Sequence, residues 1–416
     1  MSVFVPFKAF RPTPENAQAV ACKPYDVLNA KEARAESEGN PKSFYNVIKP
    51  EINFPDDFDH YAPEVYQKGK EKFFDLVDKG IMYQDSTACY YVYQLIMGDH
   101  KQTGLVGCCS IDDYFNNVIK KHELTRPDKE EDRKNHVRAS KLNYEPVFLS
   151  YPHVDAIDSI VNAAKAKDPV YNFTADDGIR HTLWIIDQPG ALNQIYELFK
   201  TEVDSIYIAD GHHRTAAGAL VGQEFRQARN GNSSDGKRDN YVMAVVFPDN
   251  QLKILDYNRV IKDLNGWSQS ELIEQISKEF DIEEKATAYK PEALHTFGMY
   301  LDGKWYKLKA KPGTYDDSDP LNQLDVTILS ENVLEPLFNI VDLRKDKRID
   351  FVGGMRGLGE LEKRVDSGEM KVAFSMYPVS MDQLISISDN GLIMPPKVTW
   401  FEPKLRSGLF VHNLDE

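Results

Sequence analysis

Six consecutive residues carry the densest chemistry in this sequence. They are Asp210, Gly211, His212, His213, Arg214 and Thr215. The β-branched and aromatic run at 205–209 before them predicts a strand, and the small residues after them predict a helix. The amides of a first helical turn, together with the helix dipole, form an anion-binding site. Arginine adds a fork of donors that fits phosphate oxygens, so this 210–215 turn is a predicted phosphate-binding site.

Other kinds of reactive site lack their motifs. Neighbouring side chains on a helix point about 100° apart, so His212 and His213 are not expected to share a zinc ion, and no Cys-x-x-Cys pair offers a structural zinc site. The sequence has no Gly-x-Ser-x-Gly elbow, no Walker A motif and no Gly-x-Gly-x-x-Gly fingerprint after a strand. We therefore expect no zinc, no flavin and no NAD.

Composition bounds the class of protein. The chain has 416 residues, of which 42% are hydrophobic and 28% charged, as is typical of a globular protein with two or three domains. Its formal net charge of −15 argues against a nucleic-acid partner, because surfaces that bind phosphate backbones need dense basic charge. No signal peptide is evident and no apolar run reaches membrane-spanning length. We expect a cytoplasmic protein that does not associate with membranes.

The rest of the pattern mixes strands and helices. The predicted elements include a strand at 43–51, a helix at 60–80, strands at 89–97 and 103–111, a helix at 291–299 and an apolar helix at 324–338. We expect an α/β fold (α+β, with mixed sheets). Residues 1–228 are predicted to form an N-terminal α/β region that ends in the phosphate-binding helix. Residues 229–240 form a predicted surface loop, and residues 241–416 a C-terminal α/β region with a proline-rich closing arm.

The 210–215 turn also resembles a known motif. Asp210-Gly211-His212-His213-Arg214, set between a strand and a helix, is similar to the motif of the ParB/sulfiredoxin-like superfamily. The free serine kinases of that superfamily carry a nearly identical Asp-Gly-His-x-Arg. The resemblance implies a ParB/sulfiredoxin-like core around residues 205–228, with additional α/β layers, that binds nucleotide phosphates at the turn. A role in DNA segregation is disfavoured by the acidic charge.

Over its whole length the chain resembles the domain-of-unknown-function 1015 family. The matching motifs are Lys23-Pro24-Tyr25-Asp26-Val27, Lys49-Pro50-Glu51, His122-Glu123-x-Thr125, Asp132-Arg133, Asp210 to Arg214, Leu324-Asp325-Val326, Met394-Pro395-x-Lys397 and Pro403-Lys404-x-x-Ser407-Gly408. Two positions depart from the pattern. Asn258 stands before Arg259 where histidine is expected, which argues against proton transfer there. Lys49 replaces an arginine, which keeps the charge but loses bidentate geometry.

These resemblances imply a phosphotransfer enzyme that acts on a small hydroxyl metabolite, with a free L-serine kinase as the leading candidate. The donor would be a nucleotide or pyrophosphate, with Mg²⁺ or another divalent ion. Two alternatives stay open. With water as the acceptor, the same site would make a phosphoserine phosphatase. Without chemistry, it would make a nucleotide-binding regulatory module. The partners are expected to be a nucleotide and a small phosphorylated metabolite, and the oligomeric state, with a homodimer as one possibility, is left open.

The implied site draws on residues from the whole chain. The predicted catalytic residues are Asp210, His212, His213, Glu51 and Asp26, with Asp210 also the predicted metal ligand. The predicted phosphate- or nucleotide-binding residues are Gly211, Arg214, Thr215, Lys397 and Lys404. The predicted substrate-binding residues are His122, Glu123, Arg133 and Tyr25. This assignment requires the fold to bring Asp26, Glu51 and Lys397 to Asp210.

Overall fold

Two units make up the chain in a computed structural model that describes residues 1–233 and 235–416. The first unit comprises residues 1–252 and 403–416, and the second comprises residues 253–402. The strands are β1 (Phe4–Val5), β2 (Phe10–Pro12), β3 (Met82–Gln84), β4 (Tyr90–Met97), β5 (His100–Ser110), β6 (Ile119–Lys120), β7 (Leu142–Asn143), β8 (Val147–Tyr151), β9 (Tyr171–Thr174), β10 (Arg180–Ile186), β11 (Ile206–Asp210), β12 (Tyr241–Pro248), β13 (Ile254–Leu255), β14 (Tyr257–Ile261), β15 (Phe280–Lys285), β16 (Thr296–Leu301), β17 (Lys304–Ala310), β18 (Ile349–Gly353), β19 (Val372–Ser375), β20 (Trp400–Phe401) and β21 (His412–Asn413).

Helices connect these strands in both units. They are α1 (Ala17–Val20), α2 (Ala30–Ser37), α3 (Tyr45–Ile48), α4 (Pro63–Asp78), α5 (Ile111–Phe115), α6 (Pro127–Ser140), α7 (Asp155–Lys165), α8 (Pro189–Glu202), α9 (His212–Ala228), α10 (Gln269–Glu279), α11 (Asp325–Leu329), α12 (Glu335–Phe338), α13 (Leu358–Asp366) and α14 (Met381–Asp389). A π-helical stretch, Ser330–Leu334, joins α11 to α12. The content confirms the predicted α/β class.

A mixed sheet forms the centre of the first unit. Its strand order is β6-β11-β8-β12-β5-β4-β10-β9, and β1 pairs with β5. β11 runs parallel to β6 and antiparallel to β8, whereas β12 runs parallel to β8 and antiparallel to β5. The register of β11 against β8 shifts between Ile208 and Asp210, at the end that leads into the 210–215 turn. The sheet therefore delivers this turn at an irregular strand end.

Helix α9 packs against β12 through small side chains. Ala216 and Ala219 are fully buried. A Cβ atom at Gly218 would lie 2.8 Å from Val242 Cγ2 of β12, and one at Gly222 would lie 2.3 Å from the backbone oxygen of Asp239, just before β12. The small residues that predict the helix thus also set how closely it approaches the sheet. This packing fixes the N-terminal turn of α9 at the end of β11.

The second unit contains its own sheet and core. Its strand order is β15-β17-β16-β19-β14-β18, with every neighbouring pair antiparallel. The apolar side chains of Val260, Trp305, Leu361 and Ala373 form a buried cluster with their neighbours. Along the described residues, no helix is both long enough and apolar enough to cross a membrane.

The structure differs from the sequence expectations at three places. The predicted strand at 43–51 is helix α3 followed by a 3-10 turn, Pro50–Asn53, because the buried Phe44, Val47 and Ile48 have helical rather than alternating spacing. Part of the predicted helix at 291–299 is instead β16, which pairs with β17 and β19. The division between units falls after residue 252 rather than at 229–240, because β12 belongs to the first sheet.

A buried carboxyl group makes the stability of the second unit depend on pH. Asp325 is 3% exposed, and its Oδ1 accepts a hydrogen bond from His295 N at 2.8 Å. Burial raises the pKa of Asp325 to about 7, although the His295 hydrogen bond opposes the shift. An unfolded aspartate has a pKa of about 3.9, so the folded state binds the extra proton between these two values. The stabilisation is complete below about pH 4 and is lost as the pH rises through about 7.

We expect Asp325→Asn to remove this dependence. The neutral amide should raise the free energy of unfolding at pH 8 by about 1–3 kcal/mol and change it little at pH 4, where the native carboxyl is protonated. Urea unfolding of the full chain at the two pH values measures the difference. Asp281→Asn, on the exposed side of β15, is the control and should leave the pH dependence intact. An equally steep dependence in the Asp325 variant would contradict the assignment.

Candidate functional site

The 210–215 turn has the predicted strand–turn–helix geometry. β11 ends at Asp210, Gly211 has a φ of +93°, and α9 begins at His212. The first amides of an α-helix have no partner within the helix, and here a glycine cap supplies no side-chain acceptor for them. The backbone therefore offers donors and the positive end of a helix dipole at this point.

Two cations converge on the carboxylate of Asp210. Arg214 Nη2 and Lys404 Nζ each lie 3.4 Å from Asp210 Oδ2. Arg214 Nη1 also donates to Pro146 O at 2.8 Å, which orients the guanidinium. Lys404 belongs to the C-terminal segment of the first unit, so the fold brings it almost two hundred residues back to the turn.

Burial and neighbouring charges have opposite effects on the pKa values of Asp210 and Arg214. Burial raises the pKa of Asp210, but the charges of Lys404 and Arg214, with hydrogen bonds from Lys404 and the Gly211 amide, outweigh burial and lower it below its ordinary value, so the carboxyl is ionised at neutral pH. Burial lowers the pKa of Arg214, but the carboxylates of Glu145, Asp26 and Asp210 more than reverse this, and the pKa is raised. The turn thus holds permanent charges of both signs in a buried setting.

His213 lies on the same turn and faces a loop that precedes α6. Its Nε2 accepts a hydrogen bond from Arg126 N at 2.9 Å, so in the neutral ring the proton is on Nδ1. Burial lowers the pKa of His213, and the charge of Asp26 partly opposes this effect. Asp26 itself is exposed, and its charge acts on both His213 and Arg214. The carboxylate of Asp26 is therefore close enough to the 210–215 turn to act electrostatically on His213 and Arg214.

His212 meets two residues of the predicted substrate-binding set. The rings of His122 and His212 pack edge to face with centroids 4.5 Å apart. His212 Nδ1 lies 3.9 Å from Glu123 Oε2. Burial lowers the pKa of His122 to about 4, against the raising effect of Asp210. Burial, and then the nearby His122, lowers the pKa of His212 as well, so both rings are neutral at neutral pH.

Tyr25 and Arg133 form a second buried cluster in this unit. The Arg133 guanidinium stacks on the Tyr25 ring at 4.0 Å from its centroid and donates from Nη2 to Asp132 Oδ2 at 2.7 Å. Lys49 Nζ donates to Tyr25 O at 3.3 Å and pairs with Glu51 Oε1 at 3.0 Å. Glu51 is therefore linked through Lys49 to the loop that carries Asp26, rather than to Asp210 directly.

Glu145 connects the clusters and was missed by the sequence reasoning. Its Oε1 accepts from Tyr25 N at 3.1 Å and from Ser407 Oγ at 2.8 Å, and its Oε2 lies 3.9 Å from Arg133 Nη1. A small cavity of about 40 Å³ is lined by Arg133, Glu145 and Arg214, among other side chains. The signal for Glu145 was available, since it is the one charged residue in the run Tyr144–Tyr151.

Two residues that were predicted to contact phosphate, Thr215 and Lys397, have other contacts in the structure. Thr215 is 1% exposed and its hydroxyl donates to Gly211 O at 3.0 Å, so that proton is used inside the helix. Lys397 belongs to the second unit, where its Nζ lies 5.9 Å from the centroid of the Tyr257 ring. The first unit alone therefore brings Arg214 and Lys404 to Asp210, and it places Asp26 where its charge acts on Arg214.

Two features of the structure favour glycine at position 211. Its φ of +93° is costly for any other residue, and an added Cβ would lie 3.1 Å from Arg214 Nη2. We expect Gly211→Ala to lower the free energy of unfolding by about 2–3 kcal/mol, measured in urea. Gly178→Ala is a matched control, because Gly178 has a φ of +79° with nothing within 4 Å of the added Cβ. Its cost should be only the strain of about 1–2 kcal/mol. Equal costs would mean that Arg214 does not restrict position 211.

A family model described as "Protein of unknown function (DUF1015)" matches residues 4–327. No curated protein is significantly similar in sequence. Similar solved structures include a free serine kinase in complex with AMP, at 15% identity and a TM-score of 0.34, over 74% of this chain and 87% of that chain.

Two further solved structures are similar at the same level. A conserved hypothetical protein from Pyrococcus furiosus has 16% identity and a TM-score of 0.35, over 77% of this chain and 95% of that chain. SbnI with a C-terminal truncation, from Staphylococcus aureus, has 12% identity and a TM-score of 0.37, over 74% of this chain and 87% of that chain. Likeness at these values does not indicate an activity.

Proposed function

The chain belongs to the DUF1015 family, proteins of unknown function, and we propose that it is a phosphotransfer enzyme acting on a small hydroxyl metabolite. The leading candidate is a free L-serine kinase that uses a nucleotide or pyrophosphate as donor. One observation carries the proposal: Arg214 and Lys404 converge within 3.4 Å of Asp210 at the start of α9. Two cations and a helix N-terminus are the groups that stabilise a transferring phosphoryl.

The proposed phosphate contacts follow from the available donors. A phosphate at the turn would accept from the first amides of α9, from Arg214 and from Lys404. We leave out Thr215, because its hydroxyl proton goes to Gly211 O. Lys397 stays a proposed contact that only its own variant can test. This use of the Asp210–Arg214 segment is the one that its resemblance to ParB/sulfiredoxin-like proteins implies.

A divalent ion fits the residues at the turn. Mg²⁺ commonly binds through one or two carboxylates together with substrate phosphates and waters. Asp210 offers such a carboxylate, because its cationic neighbours lower its pKa and keep it ionised. Bound there with the donor, the ion would neutralise charge on the phosphates. Arg214 and Lys404 would hold the phosphate oxygens from the protein side.

The acceptor hydroxyl needs a base near the turn. Asp26 is exposed and ionisable, and its backbone neighbour Tyr25 is fixed by Glu145 and Lys49. We propose Asp26 as the base, with Glu51 as a positioning residue that acts through Lys49. His213 Nε2 already accepts a hydrogen bond from Arg126 N, so the proton of the neutral ring is on Nδ1. We propose that this Nδ1–H group donates a hydrogen bond in the site. The remaining predicted substrate contacts are Tyr25, Arg133, His122 and Glu123. A cytoplasmic location, where nucleotides are abundant, is part of this proposal.

A direct assay tests the proposal. Purified full-length protein is incubated with L-serine, Mg²⁺ and ATP, ADP or pyrophosphate, and phosphoserine is measured by ³¹P NMR. We expect phosphoserine to form, and Asp210→Asn and Arg214→Ala to abolish its formation. Asp204→Asn is the control, since Asp204 is exposed at the other end of the β11 segment.

Two other results would overturn the kinase. Release of phosphate from phosphoserine, without formation of phosphoserine from any donor, would identify a phosphatase at the same site. Nucleotide binding that depends on Arg214, without turnover of any acceptor, would identify a regulatory module.

A further inference from the structure

A group of three metal-ligand side chains lies beside the 210–215 turn. His122, Glu123 and His212 each offer a ligand atom, and these atoms all lie within 4.8 Å of one another. The two histidines are 2% and 6% exposed. Two ligands, each about 2.1 Å from a zinc-like ion, are at most about 4.2 Å apart. The 3.9 Å between His212 Nδ1 and Glu123 Oε2 already satisfies this limit.

The three side chains of this cluster come from two separate parts of the chain. His212 is the first residue of α9, directly after β11. His122 and Glu123 follow β6, which runs parallel to β11 with Lys120 opposite Tyr207. The two strands therefore end at the same edge of the sheet and deliver their following residues together. The sheet, rather than a flexible loop alone, holds the spacing of the cluster.

A second observation separates this cluster from an ordinary pair of packed histidines. His212 Nε2 is buried and has no hydrogen-bond partner among residues 1–233 and 235–416. Buried polar nitrogens of folded proteins are almost always paired. The other ring nitrogen, Nδ1, lies 3.9 Å from Glu123 Oε2, which is beyond hydrogen-bond distance. Neither nitrogen of the ring is therefore held by a hydrogen bond to these residues, and one of them can bind an ion that the protein chain does not supply.

We infer that His122, Glu123 and His212 bind a divalent transition-metal ion. Two imidazoles and one carboxylate are the donor set of open zinc sites and of other first-row metal centres. Three protein ligands leave at least one coordination position for water or another oxygen ligand. Mg²⁺ prefers oxygen donors, so this site should select Zn²⁺, Mn²⁺ or Fe²⁺ over Mg²⁺.

This inference differs from the expectation of no zinc drawn from the sequence. That expectation rested on His212 and His213, which are neighbours on one helix. In the structure His213 accepts from Arg126 N, and His212 is paired instead with His122 and Glu123. The inference does not rest on the proposed phosphotransfer, because it needs no nucleotide and no turnover.

Metal binding by the full-length protein tests the inference. The protein is stripped with a chelator and titrated by calorimetry with Zn²⁺, Mn²⁺ and Mg²⁺ in the absence of nucleotide. We expect one Zn²⁺ per chain, bound at least 100-fold more tightly than Mg²⁺. Co²⁺ in place of Zn²⁺ should give the visible absorption of a four- or five-coordinate ion with nitrogen ligands.

Variants connect the binding to the cluster. His212→Gln and Glu123→Gln should each weaken Zn²⁺ binding at least tenfold and remove the Co²⁺ absorption. The Glu123 side chain is 42% exposed, so its variant should fold even if the His212 variant does not. His213→Gln is the matched control and should bind Zn²⁺ as the wild type does. Absence of Zn²⁺ binding, or binding that is unchanged in Glu123→Gln and His212→Gln, would overturn the inference.

Discussion

Replacing Arg214 with alanine is expected to reduce kcat/KM for phosphoserine formation by about 10³-fold, the scale on which an arginine acts on a transferring phosphoryl. Arg214 is 8% exposed and carries its charge beside the first turn of α9. Its Nη1 is held by Pro146 O, so the fork is oriented before any ligand arrives. Such preorganisation is what makes a donor effective in the transition state. The affinity for ATP, measured by calorimetry, should fall as well.

Arg214→Lys separates charge from geometry. Lysine keeps the positive charge near Asp210, but its single ammonium cannot hold Pro146 O and present a planar fork at the same time. We expect it to fold with nearly native stability in urea and to recover no more than about a tenth of the lost activity. Activity in the lysine variant equal to that of the wild type would mean that only the charge matters at this position.

The strand–turn–helix at 206–228 was predictable because its signals are local. An apolar run, an Asp-Gly break and small helical residues occur within one short segment, and each constrains the backbone where it stands. The residues 43–51 misled the same reasoning, because a short apolar stretch that is interrupted by one polar residue, Asn46, fits a strand and a helical turn equally well. The buried side chains of Phe44, Val47 and Ile48 have helical spacing, and the segment folds as α3.

The partners of the turn were not predictable from local pattern. His122 reaches His212 because β6 pairs in parallel with β11, a contact between segments about ninety residues apart. Lys404 reaches Asp210 because the chain returns from the second unit to the first at its C-terminus. No periodicity encodes either encounter. The motif resemblances indicate that several of these residues belong to one site, but only the strand pairing of the sheet determines the distances between them.

No local pattern indicates the partners of Glu145 either, although its place as the one charged residue in the run Tyr144–Tyr151 was a usable signal. Removal of its charge should have the largest effect on stability. We expect Glu145→Gln to lower the free energy of unfolding by about 3 kcal/mol, because it breaks a buried ion pair on one side only. Glutamine can keep the oxygen that accepts from Tyr25 N and Ser407 Oγ. Its amide group, however, turns donors toward Arg133, 3.9 Å from the present Oε2.

Controls divide this cost between charge and hydrogen bonding. Glu224→Gln breaks an arginine pair of 2.7 Å with Arg138 in which the two side chains are 44% and 32% exposed, and it should cost less than about 1 kcal/mol. Ser407→Ala removes one hydrogen bond to Glu145 and should cost about 1 kcal/mol. Urea unfolding of the three variants at pH 7 measures the costs. If Glu145→Gln costs no more than Glu224→Gln, then Asp132 alone balances the charge of Arg133, and Glu145 serves the Tyr25 loop only through its hydrogen bonds.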